Sequence, residues 1–125
     1  MTIKAVFFDM GGTIETYGYT PELRLAATPG LREILSKAGI HTGLSDEDLL
    51  HLVTYGLRKY HELALQTHKE FSSLKVWKEF VFPDQGFHEE DFQPIAEELM
   101  TYVETHFYER AMRPEVPDLL AQLRK

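Results

Sequence analysis

Hydrophobic positions in residues 3–8, IKAVFF, follow one another without alternation, and Val6, Phe7 and Phe8 stand side by side. A strand with one wet face alternates, so this stretch is predicted as a strand buried on both faces. It ends on Asp9, Met10 and the pair Gly11-Gly12, which delivers a carboxylate to the end of a strand, where open α/β sheets bind ligands. The same residues allow a hairpin, with Gly11-Gly12 as a two-residue turn and residues 13–17 returning as a second strand. Both arrangements hold together if the hairpin extends beyond the strand end.

From Thr20 the apolar spacing becomes helical. Thr20-Pro21-Glu22 and Thr28-Pro29 each set a capping hydroxyl before a proline, so two helix starts are expected. After the second, Leu31, Ile34, Leu35 and Ala38 recur at three-four spacing, and Gly39 stands where a left-handed cap would close the helix. Ser45 followed by Asp46, Glu47 and Asp48 opens another, whose face carries Leu49, Leu52, Val53, Leu57, Tyr60 and Ala64. A shorter helix bearing Leu74, Trp77, Phe80 and Val81 is closed by Pro83, and residues 83–86 form a loop. Helical spacing resumes over residues 89–106. After Arg113-Pro114, the positions Val116, Leu119, Leu120 and Leu123 start one more amphipathic helix.

A strand buried on both faces needs a sheet covered by helices, yet no second such strand follows. The expected class is therefore α/β, in a chain that is itself mostly α-helical, as the front part of a longer protein or as a chain whose strand pairs with another. At 125 residues with 43% hydrophobic and 26% charged residues, the composition is that of a folded globular domain. The net charge of −7 repels phosphate backbones and anionic lipid, so neither nucleic acid nor membrane is expected as a partner. The absence of cysteine excludes disulfides, thiolate catalysis and cysteine zinc sites. The amino-terminal apolar run is too short for a membrane span and ends in Asp9 rather than a cleavage site, so a cytoplasmic protein is expected.

The stretch FFDMGGT resembles the first motif of the haloacid dehalogenase-like hydrolases, an apolar strand running into Asp-X-Asp-Gly-Thr. The order of elements is similar to that family too: a short flap after the first strand, an inserted helical cap, then a return to a Rossmann-like core. The resemblance implies residues 1–19 as core strand, nucleophile loop and flap, residues 20–110 as cap, and residues 111–125 as the return. It implies Asp9 as the nucleophile that forms a covalent aspartyl intermediate on a small, phosphorylated or otherwise anionic metabolite. It implies Gly12 and Thr13 as substrate-binding turn residues, whose backbone amides approach the transferring oxygens while the Thr13 hydroxyl holds the loop. It also implies a magnesium ion held by Asp9 and the backbone carbonyl of Gly11.

The side chain at position 11 departs from the motif, because phosphatases of the family carry a second aspartate there as general acid. General acid catalysis is worth about 10²–10⁴-fold, so glycine points to another acid, to a leaving group that needs no proton, or to a non-catalytic domain that kept the fold. The family's later motifs would follow residue 125, and turnover is not expected from residues 1–125 alone; a homo-oligomer or pairing with the remaining core is the expected assembly.

Other features carry competing readings. His61-Glu62 begins like a zinc-protease helix motif, but Leu65 stands where the second histidine belongs, and His61 with His68 reads as a solvated pair. Trp77, Phe80, Phe82 and Phe87 read as core in preference to a ligand-stacking cluster. Arg24, Arg58 and Lys59 are the cations available to an anionic substrate, against the default of solvated helix surface.

Overall fold

The computed structural model describes residues 2–125. It is mostly helical, with one two-stranded antiparallel sheet. Strand β1 (Glu15–Gly18) leads into α1 (Pro21–Lys37) and α2 (Asp46–Thr67); α3 (Ser73–Lys75) continues into a π-helical segment (Val76–Val81). Then come α4 (Glu89–Phe92), α5 (Ala96–His106), strand β2 (Glu109–Met112) and α6 (Val116–Leu123). None of the described helices is long and apolar enough to cross a membrane.

Local signals set most helix ends. The Thr20 hydroxyl accepts the Leu23 N–H at 3.1 Å, and the Ser45 hydroxyl accepts the Asp48 N–H at 3.1 Å. Gly39 takes a φ of +78° and lets the Ile40 N–H return to the Leu35 carbonyl at 3.0 Å, a left-handed closure of α1.

Two expectations about helices are corrected. Thr28-Pro29 starts no helix, because α1 runs through Pro29 without a break. The Thr28 side chain is fully buried, and its hydroxyl donates to the Arg24 carbonyl at 2.8 Å instead of capping. Conversely, residues 89–106 are not one helix. Pro94 removes an N–H and turns the chain over residues 93–95, so α4 and α5 are separate, with Ile95 at φ −124° and ψ −4°.

The core lies where α1, α2, the π-helical segment and α5 meet. Leu31, Leu49, Val53, Trp77, Phe82, Phe92 and Leu99 are completely buried, each such side chain contributing about 1.5–3 kcal/mol of transfer free energy. Phe82 stacks on Phe92 at 5.4 Å and on Trp77 at 6.3 Å, so Trp77 and Phe82 are core. Phe80 faces a different neighbourhood, edge-on to Tyr60 at 5.7 Å. Gly56 is buried where α2 crosses the π-helical segment, and a Cβ there would lie 2.5 Å from the Phe80 carbonyl oxygen and 2.6 Å from the Val81 Cα.

Strands β1 and β2 pair with Glu15 opposite Met112, Thr16 opposite Ala111, Tyr17 opposite Arg110 and Gly18 opposite Glu109. The chain thus enters and leaves the helical bundle through one ribbon. Arg110 fastens it: its guanidinium pairs with Glu15 on β1 and, at 2.6 Å, with Glu104 on α5.

Residues 3–8 differ from expectation. Among the described residues nothing pairs with them as a strand, and the hairpin alternative fails as well, since β1 takes β2 as its partner. Phe7 is 94% exposed and Ile3 76%. An isolated strand has no ladder for its backbone groups and no layer to cover its faces, so the apolar pattern finds nothing to bury against among the described residues. The helix α6 is similar: Val116 is buried, but Leu119, Leu120 and Leu123 remain exposed.

Candidate functional site

The loop after Asp9 is organised on one acceptor. The Met10 carbonyl receives the N–H groups of Thr13 at 3.2 Å, Ile14 at 3.0 Å and Glu15 at 3.1 Å. Gly12, at φ +78°, turns the chain so that its own N–H meets the Glu15 carbonyl at 2.8 Å. The amides of Gly12 and Thr13 are therefore used inside the loop instead of facing outward to a ligand, and the Thr13 hydroxyl makes no hydrogen bond to another described residue. Asp9 stands exposed at the head of this turn. At Gly11 a Cβ would meet nothing nearer than the Tyr17 ring at 3.6 Å, an ordinary contact, so the position has room for a side chain. The Gly11 carbonyl accepts no backbone N–H from the described residues.

A second feature lies beyond the ribbon. A cleft of about 610 Å³ opens between β1, α1, α2 and the end of α5. Five of the six tyrosines, Tyr17, Tyr19, Tyr55, Tyr60 and Tyr108, line it. Tyr108 sits edge-on to Tyr17 and Tyr19, each at 6.0 Å. The Arg24 guanidinium lies 3.3 Å above the Tyr19 ring and 4.8 Å from the Tyr108 ring, while its Nε donates to the Phe107 carbonyl at 3.2 Å. Arg58, about one turn beyond Tyr55 on α2, is 5.5 Å from the Tyr55 ring.

Of the cations singled out by sequence, Arg24 and Arg58 come together at this cleft and Lys59 does not line it. His61 lines the cleft, whereas His68 ends α2 in the left-handed conformation at φ +53°, so the two do not form one site. The tyrosines were not singled out as site residues. Their signal is a single Tyr-X-Tyr at residues 17–19 with Tyr55, Tyr60 and Tyr108 far along the chain, and nothing in sequence ties these together. No group of three or more His, Asp or Glu side chains among the described residues is gathered as for a metal ion.

Two groups away from the cleft have shifted acidity. The Tyr102 hydroxyl is pushed above the usual phenol range by burial and then by the negative charge of Glu33. Glu115 is held below the usual carboxylate range, chiefly by a backbone hydrogen bond and further by Arg113, its ion-pair partner at 2.9 Å. Compared with known families, curated proteins and solved structures, the chain matches none.

Proposed function

We propose that the chain carries the nucleophile loop and helical cap of a haloacid dehalogenase-like hydrolase, with Asp9 as nucleophile and a small anionic metabolite as substrate. The observation that carries this reading is the ribbon of β1 and β2. It follows directly on FFDMGGT and makes everything from α1 to α5 an insertion whose two ends run side by side. The exposed apolar faces of residues 3–8 and α6 support it too, since both lie outside the bundle and suit a sheet and helix layer of a Rossmann-like core.

In the proposed reaction an Asp9 carboxylate oxygen attacks the phosphorus of a phosphate ester, and the bond to the leaving oxygen breaks with its electron pair. Water then attacks the aspartyl phosphate, releasing phosphate and restoring the carboxylate. Because Gly11 has no side chain, the proton for the leaving group comes from another donor, or the leaving group, such as a halide in dehalogenase-type chemistry, needs none. The exposed Asp9 carboxylate and the Gly11 carbonyl are hard oxygen donors of the kind magnesium takes, so these two fit as part of its ligand set. Bound there, the ion would neutralise charge on the transferring group.

A second, non-catalytic reading is favoured by Gly11 itself: the domain kept its architecture and uses its surfaces for association. Replacing Gly11→Asp in the protein as the cell makes it separates the two. The hydrolase reading expects magnesium-dependent hydrolysis of phosphate esters to rise by about 10²-fold or more, the usual range for a general acid being about 10²–10⁴. Silence of both forms toward a broad panel of phosphate esters and haloacids would leave the non-catalytic reading.

A further inference from the structure

We infer that the tyrosine-lined cleft between the ribbon and the bundle is a binding site for a small organic anion that carries a planar ring, with Arg24 and Arg58 as its charge partners.

The charge balance is the first argument. In a chain of net charge −7, most arginines near an acid are already paired: Arg32 with Asp46, Arg110 with Glu15 and Glu104, Arg113 with Glu115. Arg24 and Arg58 have no carboxylate partner among the described residues, and both line the same cleft. The one acid in its wall, Glu104, pairs at 2.6 Å with Arg110, which it shares with Glu15, so the two unpaired arginines still outweigh the negative charge left on that cluster. The cleft is therefore a positive site on an acidic protein, where a ligand anion replaces the missing partner.

The walls supply the second argument. Aromatic faces and edges take up planar rings at offset or edge-on geometry, and phenol hydroxyls hydrogen-bond polar substituents. Arg24 is already oriented for such a ligand, with its guanidinium laid on Tyr19 and its Nε tied to the Phe107 carbonyl, which leaves its terminal nitrogens as donors. A volume of about 610 Å³ suits a single-ring or two-ring metabolite. As the substrate site this assignment rests on the hydrolase reading; as a binding site it does not.

Calorimetric titration of the full chain without magnesium tests it, with phenyl phosphate as the ring-bearing anion, inorganic phosphate as the bare anion and phenol as the bare ring. Phenyl phosphate is expected to bind tightest, and more weakly as salt is raised. Arg58 is exposed on α2, so Arg58→Gln leaves the fold intact and is expected to weaken binding about tenfold, as loss of a charge-assisted hydrogen bond does. Glu104→Gln, which removes the one carboxylate from the cleft wall, is expected to strengthen it, an effect that mere damage would not produce. Phenyl phosphate binding no tighter than inorganic phosphate, or binding indifferent to Arg58→Gln, would overturn the inference. Binding that follows this pattern without any hydrolysis by the complete protein keeps the site and removes the hydrolase reading.

Discussion

The Tyr102 hydroxyl on α5 donates to the Ala27 carbonyl on α1 at 2.8 Å, directly over the Pro29-Gly30 step. A Cβ on Gly30 would fall 2.1 Å from that hydroxyl oxygen, so the glycine makes the room and the tyrosine ties the proline-bearing helix to α5. Tyr102→Phe is expected to lower unfolding free energy by about 1 kcal/mol in urea denaturation. The raised pKa adds a signed pH effect. A phenol whose folded value lies above its unfolded one stabilises fully below the unfolded value near 10 and loses that contribution as pH rises through the folded one. The wild type should therefore lose stability on the alkaline side, and Tyr102→Phe should flatten that loss.

Gly56 supplies an opposite test of propensity against packing. Alanine in a helix interior normally gains about 1 kcal/mol over glycine. Here the added methyl meets backbone of the π-helical segment, which cannot swing aside, and overpacking of this kind costs about 1–3 kcal/mol or more. Gly56→Ala is expected to lower the thermal midpoint; a rise would show that the two backbones separate readily.

How much of this was legible in sequence depended on how local the cause is. Thr20, Ser45 and Gly39 act within their own turns, and the helix ends they signal are where the pattern places them. Pro29 and Pro94 look alike in sequence and do opposite things. Pro29 lies inside an unbroken α1, which Tyr102 ties to α5 through the Ala27 carbonyl, whereas the chain turns at Pro94 and the helix is interrupted. The cleft was half legible: Arg24 and Arg58 could be named as unassigned cations, but their lack of a partner depends on Glu104 being taken by Arg110. That is a tertiary fact. The apolar run of residues 3–8 was legible as a pattern and misleading as a position, because periodicity states what a segment needs and not whether a neighbour supplies it.

Exposed apolar side chains at the ribbon end carry a consequence for residues 2–125 in isolation. Phe7 at 94% exposure, with Leu119 and Leu123 on α6, should drive self-association at micromolar concentration. Light scattering after size exclusion should show the concentration-dependent rise in mass, and Phe7→Glu with Leu123→Glu should suppress it. A chain that stays monomeric at every concentration would contradict the reading of these faces as docking surfaces.

The most direct measurement is chemical trapping on Asp9. The protein as the cell makes it, quenched during turnover of a phosphate ester and reduced with borohydride, should yield a peptide in which residue 9 has become homoserine, with Asp9→Asn giving neither label nor hydrolysis. Hydrolysis that continues in Asp9→Asn, or a label on any other carboxylate, would contradict the assignment of Asp9 as nucleophile.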